Sequence, residues 1–496
     1  MTFHSPNTST LPRHSVIVGD RLIERGSGRV MPHIYPGTGQ ITREISLAGP
    51  QDVDMAVQAA RAAFPAWRAL PGDKRRDLML KMAALFEQNT KALGELSTVE
   101  NGSPSLITPH FPLDAAQKFR YFAGWADKIH GQTVSTWGGP AHDYVIAEPY
   151  GVVGAIIPWN GPLFAATMVL APVLAAGNCV VVKAPEIAPY TVMRLGELFL
   201  EAGFPPGVVN VLTGGPDVGE AMVGHPGIDK IQFVGSGGTA KKVLRKAADT
   251  LKPCGLELGG KSAVIVFADA DLQYAAQRGL SGAISVSGQG CVNGTRLLVE
   301  RPVYEAYLQM LQAIAGHIKV GDPYDGATVM GPVISETALN RILGMIDTAV
   351  NKDGARLVTG GKRLGGDYAP GYYLPITIVA DADNKSMIAQ QEVFGPVLAV
   401  MPFDTEDEAI ALANGTSYGL GAYVHTNNLR RAHYVASQLQ AGMIHVNGSG
   451  EAMSPNVPFG GMKQSGYGRL SGEAGLREFL QAKNVWVNLA KPEGAK

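Results

Sequence analysis

One cysteine stands in Val286-Ser287-Gly288-Gln289-Gly290-Cys291-Val292-Asn293-Gly294, a turn-rich stretch with three glycines around the thiol. Glycine lets the backbone approach a ligand closely and leaves the sulfur reachable. A thiolate there is a candidate nucleophile. A cysteine kept for packing usually sits inside an apolar run, as Cys179 does in Asn178-Cys179-Val180-Val181-Val182. The loop alone leaves both readings of Cys291 open. A second chemical group lies in Leu256-Glu257-Leu258-Gly259-Gly260-Lys261-Ser262. A carboxylate flanked by leucines in a strand-like piece must be paired or carry a raised pKa. That environment suits a general base working near neutral pH. The alternative is a buried acid held by backbone N–H groups.

Two further segments have the chemistry of a nucleotide site. Gly235-Ser236-Gly237-Gly238-Thr239-Ala240 fits G-x-G-x-x-A between a strand-like Lys230-Ile231-Gln232-Phe233-Val234 and a helix. Such a helix N-terminus receives a diphosphate through backbone N–H groups, although an ordinary βα turn has the same pattern. The acid expected about twenty residues on is missing, because Lys252-Pro253 stands there. An acid occurs earlier, in Lys183-Ala184-Pro185-Glu186, directly after the Cys179 to Val182 strand. At a strand's C-terminal edge, Lys183 and Glu186 would reach ribose hydroxyls; a solvated loop pair is the other reading.

The elements that must position these groups alternate. Helical periodicity runs over Val53 to Phe64 and Lys74 to Leu96, with Pro65 and Pro71-Gly72 as stops. Tyr144 through Ile157 reads as β, Pro158-Trp159-Asn160-Gly161-Pro162 as a turn, and Leu163 to Ala176 as a helix. After the Cys179 strand, a helix over Thr191 to Ala202, a strand over Val208 to Leu212 and a helix closing at Met222 continue the alternation. Leu280 to Val286 is helix-like, and Arg296 to Val299 strand-like. Strands and helices at this spacing imply parallel βαβ units and an α/β fold.

Composition excludes several classes. The chain has 496 residues, enough for two or three domains, and a net charge of −1 that argues against nucleic acid or acidic membranes. Three scattered cysteines, Cys179, Cys254 and Cys291, exclude a disulfide framework and point to a reducing, cytoplasmic setting. No His/Cys spacing suggests a metal. Met1 to about Ser15 lacks the apolar core of a signal peptide and reads as a loose leader. Pro149 to Val182 is free of charge, but Pro158, Pro162, Pro172, Asn160 and Asn178 argue for buried strand, loop and helix over a membrane span.

Pro158-Trp159-Asn160, Lys183 with Glu186, Glu257-Leu258-Gly259-Gly260-Lys261, Gly288-Gln289-Gly290-Cys291, Gln391-Glu392-Val393-Phe394-Gly395-Pro396 and Pro458-Phe459-Gly460-Gly461-Met462-Lys463 together resemble the aldehyde dehydrogenase superfamily, in order and spacing. The resemblance runs from about residue 20 to the C-terminus. It implies oxidation of an aldehyde to a carboxylic acid with NAD, dual use of NADP being left open. Cys291 would attack the carbonyl, and Asn160 and the Cys291 backbone N–H would hold the oxyanion. Glu257 would activate the water that hydrolyses the thioester. Cofactor contacts are implied for Trp159, Lys183, Glu186, Gly215, Gly235, Ser236, Leu258, Glu392 and Phe394. The fold implied has a Rossmann-type cofactor domain (1–127 and 150–258), an α/β catalytic domain (259–465) and a small β oligomerisation flap (128–149 and 466–496). The flap, with its tail strand around Val485-Trp486-Val487, implies a homodimer or a dimer of dimers.

Departures from the pattern bear on substrate. Gly161 replaces an aromatic found in many relatives, which widens the tunnel. Phe164, Met168, Val292, Met453 and Phe459 are its candidate lining, so a bulky hydrophobic or aromatic aldehyde is expected. A carboxylate at Glu186 would repel a 2′-phosphate and favour NAD. A CoA-acylating semialdehyde dehydrogenase and a non-catalytic scaffold are the alternatives within the family. Glu257 argues against the first, and Glu257 with Cys291 against the second.

Overall fold

The computed structural model describes residues 3–448 and 453–491, and two mixed sheets dominate it. The first has eight strands in the order Arg21–Ile23, Val16–Val18, Val209–Gly214, Cys179–Pro185, Val152–Ile156, Lys230–Gly235, Cys254–Leu258 and Gly466–Tyr467. Its five central strands are mutually parallel, with antiparallel additions at both edges. The second has seven strands, Arg356–Thr359, Thr377–Ala380, Val397–Phe403, Gly294–Glu300, Ser262–Val266, Gly421–His425 and Met443–Val446, all parallel except the first pair. The α/β class expected from the sequence holds. Strands such as Val-Val-Gly-Ala-Ile (152–156) are buried throughout because helices cover both faces of a parallel sheet.

The uncharged stretch is a strand, a turn and the helix Pro162–Ala175, which is buried on nearly every side. A helix apolar all round belongs inside a protein or a membrane. Here it packs in the largest core, and no helix among the described residues is long and apolar enough to cross a bilayer. Its exit is tied by Asn178, which is fully buried. The Asn178 side chain accepts from the Gly151 N–H (3.0 Å) and donates to the carbonyls of Val173 (3.3 Å) and Phe479 (3.0 Å).

Four local expectations need correction. The first helix does not stop before Pro65 but runs Pro50–Ala69. Interior proline costs about 3 kcal/mol; the extra turn buries Trp67 against Phe204, ring centroids 5.5 Å apart. Lys74 to Leu96 is two helices, Gly72–Gln88 and Thr90–Asn101, parted at Asn89, whose amide donates to the Leu85 carbonyl (2.8 Å). Tyr144 to Ile157 is two strands in different sheets, Ala141–Pro149 and Val152–Ile156, because Gly151 turns the chain at φ +133°. The leader, over its described part, is packed: Phe3 meets the rings of Tyr368 and Tyr373, His4 bonds Asp322, and Leu11 is buried.

A third sheet of three antiparallel strands stands apart, with Leu480–Asn488 at one edge, Ala141–Pro149 in the middle and Gln132–Val134 at the other edge. Trp486 and Val487 on the outer strand are exposed.

Asn178→Ala takes the side-chain partner from the buried Gly151 N–H and Phe479 carbonyl, while the Val173 carbonyl keeps the backbone N–H of residue 178 (3.1 Å), and should lower stability by about 2 kcal/mol. The check is a fall in the urea unfolding midpoint at unchanged slope.

Candidate active site

Cys291 follows the helix Leu272–Ile284, which Asp271 caps by accepting from the Tyr274 N–H (3.0 Å). Val286, Ser287 and Gly288 then take left-handed backbone angles in succession (φ 50°, 55° and 77°). Such angles strain a β-branched residue and persist only when surroundings over-determine them. Here Ser287 Oγ donates to the Gly331 carbonyl (3.0 Å), and Gln289 Oε1 accepts from the Ile334 N–H (2.9 Å). Asn293 spans the loop by donating to the carbonyls of Ala283 (3.2 Å) and Ser285 (3.0 Å). The glycines therefore serve the protein's own packing, a correction to their reading as room for ligand. A Cβ at Gly288 would lie 2.1 Å from the Gly395 carbonyl carbon, and one at Gly290 would lie 2.3 Å from Asn293 Oδ1.

Cys291 as a residue is half-buried, with its sulfur turned inward, whereas Cys179 and Cys254 are buried. Burial pushes the Cys291 pKa up to about 12, with the carboxylates of Glu392 and Glu257 adding to it; the backbone N–H groups of Cys291 and Val292 oppose the shift. Asn160, on the turn before the helix Pro162–Ala175, donates its amide to the Gln289 carbonyl (2.8 Å), two residues from the thiol. An amide has a second N–H to offer. Asn101 in turn donates to the Asn160 carbonyl (3.3 Å).

Glu257 is paired by register with Val234 on one side and Gly466 on the other. It is buried, and its Oε2 has no hydrogen-bond partner among the described residues. Burial raises its pKa well above the ordinary carboxylate value, against the pull of Arg469 and with the push of Glu478. The Phe459 to Gly466 segment abuts this carboxyl: a Cβ at Gly460 would lie 2.9 Å from Glu257 Oε1. Ser465 braces it by accepting at its carbonyl from the Leu258 N–H (3.1 Å) and donating from Oγ to the Gly259 carbonyl (2.8 Å).

The candidate cofactor groups line the C-terminal edge of the first sheet and the loop before Val397. Lys183 Nζ donates to the Gly214 carbonyl (2.5 Å) and stands 3.6 Å from Glu186 Oε2. Gly215 begins the helix Pro216–Gly224 immediately beyond. Ser236 caps the helix Gly237–Ala247, accepting from the Thr239 N–H (3.3 Å), while a Cβ at Gly237 or Gly238 would meet nothing within 4 Å. An open helix N-terminus at one strand end, with an acid and a lysine at another strand end of the same sheet, suits a dinucleotide. Gly235 ends the strand Lys230–Gly235, and Leu258 ends the strand beside it. Glu392 Oε1 accepts from the Gly260 N–H (3.0 Å), and burial raises its pKa to about 7 against that bond and the charges of Lys261 and Arg341. Phe394, at φ 51°, meets Trp159 edge to face with centroids 5.3 Å apart.

A cavity of ≈ 350 Å³ has Phe164, Met168, Met453 and Phe459 in its lining. Gly161 and Val292 are outside that lining. Gly161 borders Phe164, to whose Cβ an added Cβ would come within 3.7 Å, and the Val292 carbonyl accepts from the Tyr423 hydroxyl (2.7 Å). Sequence reasoning missed Lys118 and Arg469, and gave no separate role to Gln289 and Ser465, which lie in the Gly288 to Cys291 motif and the Phe459 to Gly466 segment. Lys118 left a signal, a charge on the apolar stripe Ala115, Lys118, Phe119, Phe122 of the helix His110–Ala123.

The pattern of the Aldehyde dehydrogenase family matches residues 23–485. Retinal dehydrogenase 2 from Homo sapiens is 42% identical over 469 residues, covering 93% of this chain and 89% of that one. The crystal structure of PnpE from Pseudomonas sp. WBC-3 is similar at TM-score 0.94 and 38% identity, covering 97% of this chain and 98% of that one. Betaine aldehyde dehydrogenase from Staphylococcus aureus in complex with NAD+ is similar at TM-score 0.94 and 34% identity, covering 97% and 96%.

With the thiol pKa far above neutral, alkylation of Cys291 by iodoacetamide in the ligand-free protein should rise about tenfold per pH unit from pH 7 to 9. Peptide mass mapping should find Cys179 and Cys254 unlabelled. A rate that levels off between pH 6 and 8 would contradict the protonated resting thiol.

Proposed function

Because the chain belongs to the aldehyde dehydrogenase family, we propose that it oxidises a bulky hydrophobic or aromatic aldehyde to its carboxylic acid with NAD, through Cys291, Glu257 and Asn160. The observation that carries this reading is the meeting of three groups at one turn. A Cβ at Gly259 would lie 2.3 Å from Glu392 Oε2, a Cβ at Gly260 would lie 2.6 Å from the Cys291 carbonyl oxygen, and Glu257 stands two residues earlier.

An aldehyde holds its hydride until a nucleophile makes its carbon tetrahedral. Cys291 Sγ, once deprotonated, forms a bond to that carbon and the π electrons move to oxygen, giving a thiohemiacetal oxyanion. The second N–H of Asn160 and the Cys291 backbone N–H are the donors for that oxygen; one such donor contributes about 3–4 kcal/mol. The chemistry that NAD supplies when bound is acceptance of the hydride, which leaves the acyl group on sulfur as a thioester. Glu257 takes a proton from water as the water attacks the thioester, and Cys291 leaves as thiolate. Burial suits Glu257 to this because it raises the basicity of the carboxylate toward neutral pH.

The groups available for NAD fit it. Glu186 with Lys183 holds one ribose, the N-terminus of Gly237–Ala247 with Ser236 receives the diphosphate, and Glu392, with Phe394 and Trp159 beside it, holds the nicotinamide ribose. Gly215, Gly235 and Leu258 bound the groove. The Glu186 carboxylate disfavours a 2′-phosphate. The names of the similar proteins span retinal and betaine aldehyde, so the choice of substrate rests on the cavity, whose Phe164, Met168, Met453 and Phe459 surfaces suit an apolar body.

We assign residues 1–127 and 150–258 to cofactor binding, 259–465 to catalysis, and 128–149 with 466–496 to subunit association. The exposed outer strand Leu480–Asn488 is an edge that a second copy would cover, which supports a homodimer or a dimer of dimers. The three free cysteines support a cytoplasmic setting.

Reduced-nicotinamide formation tests the mechanism. Cys291→Ala should abolish it. Glu257→Gln should keep a single-turnover burst but lose about 10²–10⁴-fold in steady turnover; a lost burst would move Glu257 to the first half of the reaction. The kcat/KM ratio of NAD over NADP should be about tenfold or more, and should collapse in Glu186→Ala.

A further inference from the structure

Lys118 is a lysine where the fold calls for an apolar residue. It lies on the buried face of the helix His110–Ala123, between Ala115 and Phe122, and its side chain is 2% exposed. Its ammonium pairs with Asp114 one turn back and stands 3.8 Å from the centroid of the Phe164 ring. Lys118 and Phe164 both line the ≈ 350 Å³ cavity, and Lys118 is the one lysine or arginine among its described lining. His445, also in the lining, stacks on Tyr423, and burial lowers its pKa, so it is a neutral ring at pH 7.

Burying an ammonium in apolar surroundings is costly unless its donors are used. Asp114 takes one of the three N–H groups and the Phe164 face attracts the charge. No other acceptor for it is recorded among the described residues. Burial lowers the affinity of Lys118 for its proton, and Asp114 opposes that. The pair thus presents a spare donor with its charge already balanced. Phe164 fixes where the donor stands: its Cβ is bordered by Gly161, next to Asn160, and its ring lies under Lys118. At another part of the cavity wall, Phe459 leads into Gly460 and the Glu257 carboxyl. A substrate whose aldehyde is held by Asn160 and Cys291 and whose body passes Phe164 would reach Lys118.

We propose that Lys118 is a specificity-determining residue, donating an N–H to an oxygen carried by the substrate at the end remote from its aldehyde. The inference rests on the substrate reading above and narrows it. The preferred substrate is an aromatic or similarly bulky aldehyde bearing a hydroxyl or alkoxy oxygen, rather than a plain hydrocarbon aldehyde. A remote carboxylate is served less well, because Asp114 already neutralises the ammonium and repels a second anion.

Steady-state kinetics of the full-length enzyme with NAD test this on matched pairs, benzaldehyde against 4-hydroxybenzaldehyde and hexanal against 6-hydroxyhexanal, with 4-carboxybenzaldehyde as the anionic arm. The neutral oxygenated member should be preferred in kcat/KM on the order of tenfold, mostly through KM, as one hydrogen bond from a charged donor allows. Lys118→Met should bring the ratio close to one, and Lys118→Arg should keep part of it. Lys118→Gln serves if the methionine variant fails to fold, and should likewise lose most of the ratio. A preference that survives loss of the lysine charge, equal use of both members by the wild type, or a preference for 4-carboxybenzaldehyde overturns the Lys118 assignment alone. A wild type that oxidises short aldehydes but neither aromatic nor long-chain ones overturns the substrate reading itself.

Discussion

The chain crosses from one parallel sheet to the other in three residues, Gly259, Gly260 and Lys261, between the strands ending at Leu258 and beginning at Ser262. The site depends on that crossing being thin. At Gly259 the space for a side chain is taken by the Glu392 carboxylate, and at Gly260 by the Cys291 carbonyl. Any Cβ there would push apart the two loops that carry these groups. The Gly260 N–H is freed for Glu392 by the same geometry. Glu257, held by two strand neighbours just before the crossing, is thereby set at a fixed depth from both.

Electrostatics follow from this crowding. Two carboxyls and a thiol share a poorly hydrated space, and all three pKa values are raised. Arg469 offsets part of the cost at Glu257, and Lys261 and Arg341 part of it at Glu392. Among the causes acting on sulfur there is no cation, only the backbone N–H groups of Cys291 and Val292. Burial thus shifts each of the three groups toward its protonated form. Backbone strain gathers at the same place. Val286, Ser287 and Phe394 all lie at positive φ, and the bonds of Ser287, Gln289 and Asn293 hold the first two there. Strain of this kind persists only where neighbours over-determine it.

What the sequence by itself determined was the class of fold, and it offered the chemistry as candidates. Cys291 among glycines and Glu257 between leucines stood out by residue type with a structural reading still open for each, and a role for Asn160 came only with the family resemblance. Alternating strands and helices carried the α/β class, since period and turn residues are local properties. Helix ends were read less well. Pro65 reads as a stop, yet burying Trp67 against Phe204 carries the helix through it. Asn89 reads as helical, yet its amide competes for a carbonyl and parts two helices.

Only the tertiary structure decided which distant groups meet. That Asn160 would spend one N–H on Gln289, that Arg469 would face Glu257, and that Lys118 would stand over Phe164 on a cavity wall are contacts across 46 to 212 residues of chain. No local pattern encodes them. The use of the loop glycines was decided at the same level: a glycine signals in sequence that something comes close, and only packing shows that the close neighbour is the protein itself.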